Sequence, residues 1–169
     1  MPAEAGAQSA DDIFWMQRAL EQAYAAHAID EIPVGAVLVR DGVLIAEAHN
    51  RTRIDDDPTA HAELVLLRRA ATRIGGRATA MAEARLLDTT MYVTLEPCAM
   101  CAGALVLAKV TRLVFAAADP KTGMCGSLAN LVQDSRLNHR LEVTGGVLAD
   151  PAANLLRGFF RARRAADRG

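Results

Sequence analysis

The sequence has no long apolar run, few cysteines and no large excess of one charge. None of its apolar stretches approaches the roughly 18 residues that a membrane-spanning helix needs, so we expect no membrane segment. The N-terminal residues contain no basic stretch followed by an apolar core, which argues against a secretory signal. Three cysteines in 169 residues are typical of a protein from a reducing compartment. These absences together predict a cytoplasmic location.

The length and composition are those of one globular domain. A chain of 169 residues buries a single core without disulfide support. Apolar residues make up 51% and charged residues 23%, which excludes a disordered chain. No internal repeat or low-complexity segment divides the sequence. We therefore predict one domain over residues 1–169, with residues 1–10 as a flexible lead-in.

Apolar periodicity and turn residues predict alternating helices and strands. The dipeptide Asp41-Gly42 predicts a tight hairpin turn, and we expect Asp11 or Asp12 to cap the first helix and Thr59 to cap the second. Helices are predicted over residues 11–28, 60–73, 98–109, 127–132 and 152–164, and strands over 33–39, 43–48, 89–95, 112–116 and 141–144. This order predicts an α/β fold, a three-layer α-β-α sandwich around a central mixed five-stranded sheet.

Two short segments carry side chains that bind metals, His61-Ala62-Glu63 and Pro97-Cys98-Ala99-Met100-Cys101. One imidazole and two thiolates are typical zinc ligands, and a catalytic zinc combines three protein ligands with one water. We therefore predict one catalytic Zn²⁺ per subunit, bound by His61, Cys98 and Cys101. Glu63 is left free to transfer protons as a general acid and base.

Other interpretations of these segments are weaker. A single Cys-x-x-Cys pair also occurs in redox proteins and in structural zinc sites. The pair Cys98 and Cys101 has no thioredoxin-like setting, and no further cysteine or histidine lies within ten residues of it. His61 taken alone would be interpreted as a buried, hydrogen-bonded histidine. Cys125 is left over, and we expect it to be a partly buried free thiol.

The net charge of −1 conceals an uneven distribution. Residues 1–97 carry nine basic and 15 acidic side chains, whereas residues 98–169 carry ten and five. Five arginines fall in the last thirteen residues: Arg157, Arg161, Arg163, Arg164 and Arg168. Such a cluster neutralises the phosphates of a nucleic acid, but it is equally typical of a solvated helix end where arginines favour the helix dipole. Charge alone does not separate these two interpretations.

The combination of His-Ala-Glu with Pro-Cys-x-x-Cys resembles the signature of zinc deaminases that act on nucleobases. More narrowly, the chain resembles the bacterial tRNA-specific adenosine deaminases, within the cytidine deaminase-like fold, from about Phe14 to Arg164. The lysine-threonine-glycine turn, the asparagine-histidine pair and the diphenylalanine-arginine tail are the most specific matches. The matching stretches are residues 32–39, 57–63, 92–104, 119–123, 126–128, 138–140 and 159–161.

The resemblance implies hydrolytic conversion of the wobble adenosine of a tRNA anticodon to inosine. Zinc would supply an activated water, and Glu63 would move its protons to the base and to the leaving ammonia. The enzyme would be a homodimer whose RNA partner is the anticodon stem-loop. The substrate-binding residues that the resemblance implies are Val34, Asn50, Ala62, Asp119, Lys121, Phe159 and Arg161.

Each of these residues has an implied partner in the substrate. Asn50 would bond to the flipped base, and Val34 and Ala62 would line a purine slot. Asp119 and Lys121 would hold the ribose and phosphates. Phe159 with Arg161 would accommodate the displaced loop, since RNA loops are recognised through stacking and phosphate contacts.

One segment departs from the family pattern, and two other functions stay open. Residues 74–84 form a longer connection than the pattern has, and Ala84 replaces the usual aromatic residue, which we expect to affect the surface or the dimer edge. The first alternative function is that of a small-molecule nucleobase or nucleoside deaminase of the guanine or cytosine type. The second is a zinc-stabilised RNA-binding subunit without catalysis. The basic tail and the 119–123 turn favour RNA over the first alternative, and Glu63 argues against the second.

Overall fold

The structure is a computed structural model that describes residues 8–75 and 85–169. Most of the predicted lead-in, residues 1–7, and most of the longer connection, residues 76–84, lie outside these described residues. The helices are α1 (Ala10–Ala28), α2 (Ala62–Gly75), α3 (Ala99–Ala108) and α4 (Ala149–Ala166), and a 3-10 helix covers Leu131–Gln133. The strands are β1 (Gly35–Arg40), β2 (Val43–His49), β3 (Thr90–Leu95), β4 (Arg112–Ala117) and β5 (Glu142–Gly145).

The five strands form one mixed sheet in the order β2-β1-β3-β4-β5. Strand β1 is antiparallel to β2 and β3, whereas β3, β4 and β5 run parallel to one another. The hairpin between β1 and β2 turns at Asp41 and Gly42, whose φ angles of 51° and 70° match the left-handed backbone of such a turn. The predicted sheet and its hairpin are confirmed.

The helices cover both faces of the sheet, because successive side chains of a strand point to opposite sides. On β1, Val37 and Val39 join Met16 of α1 in one apolar cluster. Ala36 and Leu38 join the cluster on the other face, which contains Leu66 of α2 and Leu105 of α3. Helix α4 contributes Ala152 and contacts β3 and β4 on the α1 side. The predicted three-layer sandwich is therefore confirmed.

Helix α1 begins one residue before its predicted start and uses a different cap. The Ser9 hydroxyl accepts the backbone N–H of Asp12 at 3.1 Å, so the prediction that Asp11 or Asp12 caps this helix was wrong. The Asp12 carboxylate is buried and pairs in bidentate fashion with Arg112, at 2.7 and 2.8 Å. It also accepts the hydroxyl of Tyr92 at 3.0 Å, which ties α1 to the middle of the sheet.

Two further predictions of local structure need correction. Helix α2 begins at Ala62 rather than Ala60, and Thr59 does not cap it, because the N–H and hydroxyl of Thr59 both donate to Asp57 in the preceding turn. The predicted helix over 127–132 is reduced to the 3-10 helix, because Gly126 has a φ of 139° and Ser127 is held away from helical geometry by Glu96. Within the described ranges, none of the helices is both long and apolar enough to pass through a membrane.

Candidate active site

The candidate site lies at one edge of the sheet, where several strand ends meet. Strands β3 and β4 are parallel, so the residues that follow them, Glu96 and Asp119, emerge at the same edge. Strand β1 runs the opposite way and starts at this edge, just after Val34. The end of β2 pairs with the start of β1, which brings Asn50 to the same place. Four side chains that are distant in sequence therefore converge here.

The three predicted metal ligands lie at the N-termini of two helices beside this edge. The carbonyl of His61 accepts the N–H of Val65 at 3.0 Å, so His61 stands directly before the first turn of α2. Cys98 has an extended backbone and is the N-cap residue of α3, which places the buried Cys101 in the first turn of that helix. His61 Nδ1 lies 3.7 Å from Cys98 Sγ and 3.6 Å from Cys101 Sγ. The structure thus brings together the three residues that the sequence singles out.

The donor set fits a tetrahedral zinc ion. Zinc binds histidine nitrogen at about 2.0–2.1 Å and cysteine sulfur at about 2.3 Å, so two such ligands at a tetrahedral angle lie about 3.6 Å apart. The observed nitrogen–sulfur distances agree with that separation, and all three ligand atoms lie within 4.8 Å of one another. In the described ranges, this is the only group of three or more such side chains with metal-binding geometry. It could hold a metal ion.

The electrostatics of the two thiols also suit a cation. Hydrogen bonds from Cys101 and then from His61 lower the pKa of Cys98 to about 3. The hydrogen bond between the two thiols, and then burial, raise the pKa of Cys101 above its usual range. A metal ion that contacts both sulfurs would stabilise both thiolates and remove this difference, since ligating cysteines are deprotonated.

Glu63 has the environment of a group that exchanges protons. It lies in the first turn of α2, as predicted, and its side chain is buried against the metal-binding group. Burial raises the pKa of Glu63 above that of an ordinary carboxyl. A raised carboxyl pKa moves the group toward the pH at which it can both accept and release a proton.

A cavity of about 140 Å³ opens over these residues. Of the predicted substrate contacts, Val34, Asn50 and Asp119 line it. Ala62 is fully buried and is not among the lining residues, and Lys121 is exposed on the adjacent turn. The lining residues are Ile32, Val34, Asn50, Thr52, His61, Glu63, Leu95, Glu96, Cys98, Asp119 and Thr122.

Two buried carboxylates that we did not predict as site residues organise the cavity walls. Glu96 accepts the backbone N–H groups of Asp119, Cys125 and Ser127 at 2.9–3.0 Å, and it also accepts the Ser127 hydroxyl. Gly123 lies so close that a Cβ there would be 2.4 Å from Glu96 Cδ. Glu31 likewise accepts backbone N–H groups, those of Arg53 and Ile54, in the loop that follows Asn50. A glutamate directly beside an apolar strand is a signal for such a role, because a buried charge needs hydrogen-bond partners.

The Asp119 turn is stabilised internally. Asp119 accepts the backbone N–H groups of Lys121 and Thr122 and the Thr122 hydroxyl, at 3.0, 3.2 and 2.6 Å. Burial works against ionisation, but these hydrogen bonds dominate and lower the pKa of Asp119. The carboxylate at this wall of the cavity is therefore ionised at neutral pH.

The C-terminal helix presents some of its predicted RNA-binding side chains and buries others. Phe159 is buried and packs edge-on against His27, with ring centroids 6.1 Å apart, whereas Phe160 is exposed. Arg163 lies over the Phe159 ring at 5.7 Å and pairs with Asp30 at 3.4 Å. Arg161 is exposed. Of the two adjacent phenylalanines, Phe160 is therefore the exposed one and Phe159 the buried one.

Cys125 is a free, buried thiol that is not part of the metal-binding group. Its Sγ lies 3.9 Å from the Pro97 carbonyl oxygen. Burial, and then the nearby Glu96, raise the pKa of Cys125 above its usual range. A buried thiol that resists ionisation has the chemistry of a structural residue.

Comparison with known proteins agrees with this geometry. The family model for MafB19-like deaminases matches residues 10–164. The tRNA-specific adenosine deaminase of Haemophilus influenzae is 49% identical over 150 residues, which cover 88% of this chain and 83% of that protein.

Solved structures give two further likenesses. The first is a structure from a study of A-to-I editing by tRNA:A34 deaminases at the wobble position of transfer RNA. It matches with a TM-score of 0.76 and 40% sequence identity, over 85% of this chain and 99% of that chain. A guanine deaminase from Nitrosomonas europaea matches with a TM-score of 0.70 and 26% identity, over 87% of this chain and 83% of that one. The match to the tRNA:A34 deaminase structure has the higher sequence identity of the two.

Proposed function

Because this chain belongs to the MafB19-like deaminase family and to the tRNA-specific adenosine deaminases, we propose that it converts the wobble adenosine of a tRNA anticodon to inosine. The reaction is a hydrolytic deamination in the cytoplasm. The observation that carries the proposal is the convergence of His61, Cys98 and Cys101 with the buried Glu63 at one cavity. These are the residues that this chemistry requires.

We propose zinc as the metal, held by His61 Nδ1 and the sulfurs of Cys98 and Cys101. When bound there, zinc supplies a water molecule whose pKa is lowered toward neutrality. Glu63 would carry out two proton transfers. Its carboxylate takes the first proton from the attacking water and gives it to a ring nitrogen; it then takes the second proton from the hydroxyl group formed on the ring carbon and gives it to the amine, which leaves as ammonia while the C–OH becomes a carbonyl. Burial raises the pKa of Glu63, which favours this exchange in both directions.

The remaining walls hold the substrate. Val34, Ile32 and Leu95 give the cavity apolar surface against which a base ring packs, and Asn50 and Asp119 supply polar contacts. A base inside a stacked loop cannot reach such a cavity, so it must be turned out of its stack. We assign Asp119 and Lys121 to the ribose and phosphates, and Ala62 to the buried layer that supports the base pocket without lining it.

We propose that the anticodon stem-loop lies across the cavity mouth toward the C-terminal helix. Phe159 supports this surface from beneath, since it is buried and holds Arg163 in place. Phe160 and Arg161 are exposed on the same helix and are available for stacking and phosphate contacts. A salt-dependent affinity for RNA follows from this arrangement.

We further propose a homodimer, on the support of a groove of about 490 Å³ between α2 and α3. Its lining includes Leu64, Leu67 and Leu107, and Leu107 is 81% exposed. A group of apolar side chains that lines one open groove is typical of a surface that a partner covers. Sedimentation equilibrium of the purified protein measures the mass of the assembly directly.

The experiment that tests the function compares substrates of two classes. The purified enzyme is incubated with an anticodon stem-loop that carries adenosine at the wobble position and, separately, with free guanine, cytosine and cytidine. We expect inosine and ammonia from the stem-loop and no product from the small molecules. Release of ammonia from guanine with an unchanged stem-loop would support the small-molecule alternative instead.

A further inference from the structure

Glu31 is a fully buried carboxylate beside the cavity, and the chemistry described above does not use it. Its neighbour Ile32 lines the cavity. Burial opposes its ionisation, but the hydrogen bonds it accepts prevail and lower its pKa, so it is charged at neutral pH. Its five donors, at 2.9–3.3 Å, are the backbone N–H groups of Ile32, Arg53 and Ile54, the Asn50 amide and the Thr52 hydroxyl.

This carboxylate determines which way the Asn50 amide points. An ionised carboxylate accepts hydrogen bonds and donates none, so the NH₂ group of Asn50 must be the end that faces Glu31, at 3.0 Å. The Thr52 hydroxyl donates a hydrogen bond to Glu31 at 3.3 Å and accepts the second N–H of Asn50 at 2.9 Å. Both N–H bonds of Asn50 are thereby committed within the protein.

We propose that Glu31 is a positioning residue that makes Asn50 a hydrogen-bond acceptor toward the substrate, through Oδ1. This inference rests on the proposed function, since it concerns how the adenosine is recognised. The ring nitrogens of adenine that carry no substituent are acceptors and cannot bond to Oδ1. The groups of adenosine that can donate to Asn50 are its amino group and its ribose hydroxyls.

A double-mutant cycle tests the proposal. In Glu31→Gln, the new amide can donate to Asn50, which releases Asn50 to turn its N–H group toward the cavity. In Asn50→Asp, two carboxylates face each other. We expect each single variant to lose about 10- to 100-fold in kcat/KM on the stem-loop, mostly through KM, since an unsatisfied buried polar group costs about 1–3 kcal/mol.

The double variant Glu31→Gln with Asn50→Asp restores the contact between residues 31 and 50, although the glutamine amide then faces the backbone N–H group of Ile32. The introduced glutamine amide donates to one oxygen of the introduced aspartate, whose other oxygen faces the cavity as an acceptor. We expect kcat/KM of the double variant to exceed the value set by the product of the two single losses by at least about 10-fold, a coupling that independent sites do not show. A double variant whose loss equals the product of the two single losses would overturn the proposal, as would normal activity in Glu31→Gln.

Asp55→Asn separates recognition from simple support of the loop. This variant weakens the pair between Asp55 and Arg51, at 2.7 and 2.8 Å, in the same loop but contacts neither Glu31 nor Asn50, so we expect a loss of less than about 5-fold. A loss equal to that of Glu31→Gln would mean that loop stability alone explains the effect. If Glu31→Gln does not fold, rescue by the double variant together with the small effect of Asp55→Asn still supports the proposal, and an inactive double variant that folds with its metal overturns it. An inactive wild type would instead refute the proposed function, and this inference with it.

Discussion

Replacement of Glu63 by glutamine removes the proton-transferring group and keeps the shape of the side chain. The cavity holds two other carboxylates, but neither can substitute for it. Glu96 is occupied by four donors, and Asp119 by the donors of its own turn. Glu63 is therefore the single acid available for every proton transfer of the reaction.

The expected loss follows from this exclusive role. A positioned acid or base contributes about 10²- to 10⁴-fold, and a group that serves several transfers belongs at the upper end. We expect Glu63→Gln to lower kcat by about 10³- to 10⁴-fold, or about 4–5.5 kcal/mol in activation free energy. Single-turnover formation of inosine in a stem-loop, measured by mass spectrometry, gives the value.

The controls separate chemistry from folding. The metal ligands are untouched, so the metal content of Glu63→Gln is expected to equal that of the wild type. Glu21→Gln is the matched control, because Glu21 lies on α1 with a side chain 60% exposed and is expected to tolerate the change. Turnover by Glu63→Gln within about 10-fold of the wild type would refute the assignment of Glu63 as the acid and base.

Three other predictions concern the metal, the fold and RNA binding. Cys101→Ala is expected to lose zinc and thermal stability, whereas Cys125→Ala keeps its zinc in elemental analysis; the opposite pattern would contradict the ligand assignment. Asp12→Asn leaves Arg112 uncompensated and is expected to destabilise the protein by about 2–4 kcal/mol at neutral pH, somewhat below the value for a fully buried pair because Arg112 is 27% exposed. Arg112 lowers the pKa of Asp12 below its ordinary value of 3.8, so the ion pair stabilises the fold at pH values above 3.8. The difference in unfolding free energy between the wild type and Asp12→Asn, measured with urea, is therefore expected to shrink as the pH falls below 3.8. A difference that stays constant with pH would contradict this. Arg161→Ala with Arg164→Ala is expected to reduce the slope of log affinity against log salt by about 0.7–1 per lost phosphate contact, with unchanged zinc content, and an unchanged slope would make this helix end a solvated surface only.

The fold was predictable because its signals are local and repeated. The continuous apolar run that contains Val37 and Leu38 predicts a strand buried on both faces, and the Asp41-Gly42 turn predicts the hairpin. The predictions of local structure were wrong where a contact between residues distant in sequence overrides the local preference for a cap or a helix. Asp12 has the right position for a cap, but Arg112, one hundred residues away, takes its carboxylate. Residues 127–130 have helical composition, but Glu96 binds Ser127.

The candidate site also contains residues that the sequence identifies and residues that it does not. The spacing of His61, Glu63, Cys98 and Cys101 encodes their chemistry, so the sequence identifies them and the structure brings them together. Glu31 and Glu96 were missed because nothing in their neighbourhood in the sequence reveals that most of their partners lie 19 to 31 residues away. Their function depends on which loops the fold places around them.

The proposed activity is deamination of one adenosine in a folded tRNA. Inosine is mapped in unmodified total tRNA after incubation with the wild-type protein, by nuclease digestion and mass spectrometry of the fragments. We expect inosine at the first anticodon position of tRNAs that carry adenosine there, unchanged adenosines elsewhere, and no conversion with Glu63→Gln. Unmodified tRNA after incubation with zinc-loaded wild-type protein, or inosine scattered over many positions, would contradict it.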